Sequence, residues 1–240
     1  MRYIYLGLKF AFSYFSILPI RFSSDDNLSK KKVLAFMLYF FPLVGFVISL
    51  ISVGLVYLLE DFSWLGMFFG GVLYMILYGF LHLEAVMDVA DGIYAKHGGK
   101  DAYSIIKEPT VGALGVFWGV SFFVVKLALL VYVFELGYFY EFITIAVVSR
   151  FGLAVMIKTQ DFNSSFVCSL QKAIEQKSLL IVGLIVFLVS PWYIFVLGLV
   201  FVFLGTKFIK RNLGFINGDA LGASLEFSEI ALLCSLILCQ

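Results

Sequence analysis

The sequence predicts an all-α, polytopic transmembrane helical bundle of about six or seven spans plus an N-terminal helix, and three observations carry that expectation. Of 240 residues, 62% are hydrophobic and only 14% charged, whereas soluble domains carry roughly a quarter charged residues. The apolar residues come in runs long enough to cross a bilayer, which takes about 20 residues at 1.5 Å rise. Lys and Arg collect in the loops on one side of those runs. The bilayer is therefore the main solvent and a water-soluble globular enzyme is excluded, in keeping with a mean hydropathy of +1.03. A net charge of +1 also argues against nucleic acid as a partner, because duplex binders carry a basic field.

The elements follow in chain order. The opening MRYIYLGLKFAFSYFSILPI has the basic residue and apolar stretch of a signal peptide, but no small-residue cleavage site follows and further apolar runs do. It is expected to remain as a first helix, interfacial or spanning. The long runs are Val33 to Leu59, Phe62 to about Leu81, Ala113 to Phe134, Phe142 to Ile157, Leu179 to Leu204 and about Ala220 to Cys239. The fifth is interrupted by Ser190-Pro191, and proline disfavours a continuing helix because it lacks the amide donor and clashes with the preceding turn. A hairpin of two crossings is preferred there. Cys168, Cys234 and Cys239 have no metal-ligand spacing and an odd count, so they read as small hydrophobes.

Basic residues orient the map, because Lys and Arg collect in cytoplasmic loops. Arg21 and Lys30 to Lys32 precede the first long run; Lys96, Lys100 and Lys107 follow the second; Lys158, Lys172 and Lys177 follow the fourth; Lys207, Lys210 and Arg211 precede the last. The opposite loops hold Glu60, Asp61, Glu135 and Glu141 and no Lys or Arg. If the run around Pro191 crosses twice, every basic loop is cytoplasmic. The expectation is one integral membrane domain over residues 1–240, multi-pass in a bacterial cytoplasmic membrane, with an acidic loop region at about 82–112 facing the cytoplasm.

That region carries the chemistry. In GFLHLEAVMDVADGIYAKHGGKDAYSIIKEPTVGALG, Glu84, Asp88 and Asp91 are spaced i, i+4, i+7, which on a helix puts the second and third carboxylates within roughly 40° and 20° of the first. Three carboxylates on one face of an otherwise apolar chain repel one another unless a cation sits among them, and oxygen-only donors suit Mg²⁺ bound partly through water and substrate phosphates. The alternative is a solvated acidic helix end. Against it stand Lys96, Lys100 and Lys107, able to meet phosphate as point charges, and Gly98-Gly99, where backbone can approach a ligand. His82 reads either as a proton acceptor near the metal or as a satisfied interfacial histidine; His97 reads as loop. Inside the runs, Lys126 and Arg150 are costly at depth and call for a partner, either acidic side chains or phosphate.

A second polar group closes the chain. In NGDALGASLEFSEI, Asp219, Glu226 and Glu229 share a helical face, and Gly218, Gly222 and Ala223 permit close helix approach. A favourable helix dipole explains Asp219 alone but not two further glutamates within the run.

Four blocks then resemble the cobalamin synthase family, also called adenosylcobinamide-GDP ribazoletransferase. FSYFSILPI with FFPLVG is similar to the family's opening. HLEAVMDVADG looks like its His-x-Asp-Gly-Leu-Ala-Asp-x-x-Asp-Gly, matching His82, Asp88, Asp91 and Gly92. IIKEPTVGALG matches a further block through Lys107, Gly112 and Gly115, and NLGFINGDALGASLEFSE matches the closing block through Gly214, Gly218, Asp219, Gly222, Ala223 and Glu229. Glu84 stands where the family usually has Asp, Ala85 replaces a Gly, Glu108 an Asp, and Asn217 a Thr.

The resemblance implies that α-ribazole or its 5′-phosphate attacks the cobinamide-side phosphate of adenosylcobinamide-GDP, releasing GMP. It further implies Mg²⁺ on Glu84, Asp88, Asp91 and Asp219, with His82 or a carboxylate taking the proton. Lys96, Lys107, Lys126 and Arg150 would bind phosphate, and Glu226 and Glu229 are further acidic candidates. The lipid bilayer, other cobalamin-pathway enzymes and a second copy of the chain are the remaining partners expected. Two rival readings are weaker. DVADGIYAK imitates the start of the CDP-alcohol phosphotransferase motif, but the second pair of aspartates is missing. An ion-coupled transporter would be expected to show paired broken helices, and only Pro191 breaks a run.

Overall fold

The computed structural model describes residues 1–238; Cys239, expected to end the last apolar run, lies outside the described residues. Among the described residues the regular structure is helical: α1 (Arg2–Phe15), α2 (Lys31–Tyr39), α3 (Phe41–Leu58), a 3₁₀ turn (Glu60–Phe62), α4 (Trp64–Leu77), α5 (Leu81–His97), α6 (Ala102–Ile106), α7 (Ala113–Glu135), α8 (Phe139–Thr159), α9 (Ser165–Ala173), α10 (Gln176–Leu188), α11 (Trp192–Leu213) and α12 (Gly218–Leu238).

Five of these, α3, α7, α8, α11 and α12, are long and apolar enough to cross a membrane, and the bent pair α4–α5 makes a sixth. The run from Val33 to Leu59 divides at Phe40, with Pro42 in the first turn of α3, where its missing amide costs no helical hydrogen bond. The break at Pro191 does produce a hairpin. Its first arm, α10, has 13 residues, about 20 Å at 1.5 Å rise, short of the ~30 Å hydrocarbon core. Contacts at its ends nonetheless show that it joins the two ends of the bundle. The Tyr39 hydroxyl accepts from the Glu175 amide at 2.8 Å, next to the start of α3, and Tyr140 at the start of α8 donates to the Val189 carbonyl at 3.0 Å.

The same two layers recur around the molecule. Tyr57 at the end of α3 meets Phe139 at the start of α8, ring centroids 5.0 Å apart. At the other end, Lys158 donates to the Ile174 carbonyl at 2.9 Å, the Asn163 amide to the Ile216 carbonyl at 2.8 Å, and Tyr103 packs edge-on against Phe215. The basic loops thus gather at one end of the bundle and the acidic ones at the other. Between them α8 is the central helix: 78% of its apolar stretch is buried, against 28% for α7. Phe117, Val120 and Val124 of α7 are exposed and are left for lipid.

Two features place the acidic helix. Between α4 and α5 the chain turns by 73° at Gly79 (φ 65°) and Phe80 (φ 54°). Glycine adopts the left-handed region freely, while a bulky residue there costs roughly 1–2 kcal/mol. The turn lays α5 against α7 and α12 and leaves its acidic face toward the basic end. At the N-terminus, Asp26 accepts from the Ser23 amide at 2.9 Å and meets Arg2 at 3.5 Å and Lys9 at 3.7 Å. The Ser23 amide, with help from Lys9 and Arg2, holds the Asp26 carboxyl below its ordinary value. This ties the loop before α2 down onto α1.

Candidate functional site at the basic end of the bundle

Helix α5 is amphipathic in an unusual sense. His82, Leu83, Ala85, Val86, Val89 and Ala90 are buried, Glu84 is exposed, and Asp88 and Asp91 are half-buried. The three acids therefore occupy one face, as their spacing predicts. Asp88 lies within electrostatic reach of Asp219, Glu84 and Asp91, and Asp219 of Glu84. The first residues of α12 thus join the α5 cluster, although Asp219 follows Asp88 by 131 positions in the chain. Asp219 is oriented by Asn217, whose side chain donates to one carboxylate oxygen at 2.7 Å while its own oxygen accepts the Ala220 amide at 2.9 Å. Asn217 is therefore the cap of α12.

Asp91 has a different setting from Asp88. Its two oxygens accept the amides of Gly112 at 2.6 Å and Gly115 at 2.8 Å, so it satisfies two of the free donors that open α7. The approach is close enough that a Cβ at Gly115 would run into the carboxylate and the Met87 carbonyl. Gly92, another motif glycine, packs on Ile106 and Leu213, and Gly222 packs on Ala85 and His82; Gly218, at the start of α12, faces open space. Among the described residues, no group of three or more His, Cys, Asp or Glu side chains is close enough together to hold a metal ion.

A cavity of about 410 Å³ opens beside Asp219. Its wall combines Tyr14 and Phe15 of α1, Phe41 of α3, His82 of α5, Tyr103 and Lys107 around α6, residues 163–167 at the start of α9, and Asn217 and Asp219. The Lys107 ammonium lies 4.1 Å from the centre of the Tyr103 ring, a cation–π contact that holds the charge at the rim. His82 is 3% exposed and stacks on Tyr78, and its Nε2 has no hydrogen-bond partner. Lys96, at the end of α5, is exposed and sits against Gly214.

Lys126 and Arg150 are not brought to this cavity. Both are fully buried in the bundle, where Lys126 meets Glu226 and Glu229, each at 2.7 Å, and Arg150 meets Glu229 at 2.8 Å. Tyr74 and Ser149 donate to Glu229 at 2.9 and 3.1 Å, and Tyr78 accepts from Lys126 at 3.3 Å. Of the two kinds of partner the sequence allowed for these cations, acid and phosphate, the structure supplies acid. Glu226 and Glu229 likewise serve this network, which ties α12 to α7 and α8.

Sequence reasoning did not single out Tyr14, Asn163, Ser164 or Phe166. Helix α9 carried a readable signal: a Ser164 cap, whose oxygen accepts the Val167 amide, followed by Val167, Leu170 and Ala173 at helical spacing.

Comparison with known proteins agrees in one direction. The family model described as cobalamin-5-phosphate synthase matches residues 7–237. Among similar sequences is the adenosylcobinamide-GDP ribazoletransferase of Desulforamulus reducens, 27% identical over 252 residues, covering 99% of this chain and 98% of that protein. The protein of the same description from Pyrococcus abyssi is 31% identical over 205 residues, covering 80% and 84%. That from Brevibacillus brevis is 25% identical, covering 95% and 96%. No solved structure matches the chain.

Proposed function

The chain belongs to the cobalamin-5-phosphate synthase family, and on that premise we propose that it transfers the adenosylcobinamide-phosphate group of adenosylcobinamide-GDP to α-ribazole or its 5′-phosphate. The ribazole hydroxyl forms a bond to the cobinamide-side phosphorus, the bond to the bridging oxygen breaks, and GMP leaves. The observation that carries this reading is the joining of Asp219 to the α5 carboxylates on one side and to a Lys107-rimmed cavity on the other. The site places an acid, a cation and a nucleoside-sized space within one polar end of a membrane protein.

Mg²⁺ fits the donor set, because it keeps most of its waters and binds through one or two carboxylates plus substrate phosphates, so no preformed cage of three protein ligands is needed. Asp88 and Glu84, one helical turn apart on α5, are the residues that would hold it. Bound there, it would neutralise charge on the diphosphate and on the leaving GMP. Lys107 and Lys96 meet phosphate oxygens as the bridging bond lengthens. Asp219, positioned by Asn217, takes the proton of the attacking hydroxyl. Asp91 fixes the start of α7 against α5, and the buried network of Lys126, Arg150, Glu226 and Glu229 fixes α12, which keeps Asp219 within electrostatic reach of Asp88. The gathering of Lys and Arg in the loops at this end supports a site that faces the cytoplasm.

The test is GMP release by membranes containing the protein, given adenosylcobinamide-GDP, α-ribazole and Mg²⁺. Wild type releases GMP, and Asp88→Asn and Asp219→Asn each reduce the rate at least about 100-fold, the scale of a lost electrostatic or acid–base group. Undiminished release in both variants would remove the assignment.

A further inference from the structure

We propose that a separate apolar groove between α5, α7, α11 and α12 binds one anionic phospholipid, with an acyl chain along the groove and the headgroup at its basic end. The groove encloses about 710 Å³, and none of Glu84, Asp88, Asp91 or Asp219 is among its wall residues. It stands apart from the cavity beside Asp219 and from the reaction proposed above.

Helix α5 forms one wall with Val86, Val89, Ala90 and Ile93, which lie roughly 140–240° around the helix axis from Glu84. Whatever fills the groove therefore backs the helix whose opposite face carries the carboxylates. Leu204, Phe208 and Asn212 of α11 run along its length, about 12 Å from first to last at 1.5 Å per residue. At its edges Leu204, Phe208, Trp118 and Phe227 are 40–64% exposed, so it opens sideways onto hydrocarbon. A further helix, 10–12 Å across, would need on the order of 1,000 Å³ over that length, more than the groove holds. A slender acyl chain fits.

The polar groups gather at one end. His97 closes α5 and Asn212 lies in the last turn of α11, and both line the groove. Arg211 follows Phe208 by three residues and so neighbours it on the helix surface, with its side chain exposed. One turn deeper, the Trp118 indole donates to the Tyr94 hydroxyl at 3.3 Å, a pair of polar-tipped rings of the kind that settles at headgroup depth. Beyond that pair the wall is apolar down to Val86, Phe122 and Phe227. The order from cation to polar-tipped aromatics to apolar wall matches a phospholipid read from phosphate to chain. Lys207 and Lys210, exposed on the same turns of α11, add positive field, and basic pockets between spans favour anionic headgroups over zwitterionic ones.

Fluorescence quenching reads the contact. Of the three tryptophans, Trp118 lines the groove, whereas Trp64 and Trp192 open α4 and α11 at the other end of the bundle. Trp64→Phe with Trp192→Phe leaves Trp118 as the reporter. This protein is reconstituted in phosphatidylcholine vesicles doped with phosphatidylglycerol or phosphatidylcholine brominated on the acyl chains, bromine being a contact quencher. Brominated phosphatidylglycerol quenches Trp118 at an about 5-fold lower mole fraction than brominated phosphatidylcholine, the scale of one basic residue at an anionic surface. Arg211→Gln brings the two curves together and Arg211→Lys keeps them apart; the side chain is exposed, so neither change disturbs the fold. Equal quenching by the two lipids before any change at Arg211 marks ordinary surrounding lipid and overturns the site. A preference that survives Arg211→Gln overturns the headgroup position. Shielding of Trp118 from both lipids, as a second copy of the chain seated on the groove would produce, also overturns the proposal.

Discussion

Removing Lys126 alone tests the buried network most sharply. In the native protein, Lys126 and Arg150 face Glu226 and Glu229 with all four side chains no more than 2% exposed, so two positive and two negative charges balance. Lys126→Met leaves Glu226 without the ammonium 2.7 Å away, and its Oε1 already has no partner. Glu229 keeps Arg150 at 2.8 Å. One uncompensated carboxylate is therefore stranded in the bundle, at a cost of about 3–5 kcal/mol. For a chain of this size that lowers the melting temperature by roughly 6–20 °C, at about 2–4 °C per kcal/mol. Lys126→Met combined with Glu226→Gln removes both charges and recovers most of the loss, because replacing a buried pair by neutral groups is often nearly neutral. The assay is thermal unfolding in detergent for both singles and the double. A double variant as unstable as the sum of its singles would refute the pairing.

Further outcomes follow from the site. Asp91→Ala strips two amides from their acceptor and destabilises the start of α7 by about 1 kcal/mol, as loss of a cap does, with Asp91→Asn milder; melting curves of the two variants check the order. Gly115→Ala drives a methyl into the Asp91 carboxylate and lowers GMP release while the protein still inserts in membranes; full activity would show that the close approach is dispensable. Chelation of divalent cations abolishes GMP release, and Mg²⁺ restores it, in the same membranes. Reporters fused after Lys100 or Arg211 read cytoplasm, and a signal from the opposite side at either position would break the positive-inside orientation.

Some of this was legible in the chain itself. The runs starting at Ala113, Phe142 and Ala220 became α7, α8 and α12 with ends shifted by a few residues, whereas the run from Val33 divided into α2 and α3 and the run from Leu179 into α10 and α11; in lipid a continuous apolar stretch has helix as its way to satisfy the backbone. The i, i+4, i+7 acids fell on one face of α5 because 3.6 residues per turn leaves no alternative once that segment is helical. Pro191 marked the hairpin. What the chain concealed were partnerships across elements. Nothing local says that Lys126 meets Glu226 or that Asp91 is held by Gly112 and Gly115. The 73° bend at Gly79 and Phe80 was hidden too, since Phe80 is a residue type that seldom adopts a positive φ. Tyr14 and the start of α9 reach the cavity through packing of α1 and α9 against α2, a relation no spacing rule contains.

The proposed displacement falls at the cobinamide-side phosphate. The most direct measurement gives the protein adenosylcobinamide-GDP labelled with ³²P at that phosphate, together with α-ribazole and Mg²⁺, and separates the products. The label appears in the completed cobalamin and the GMP is unlabelled. Label recovered in the released guanosine nucleotide, or a cobalamin lacking it, would place the displacement elsewhere.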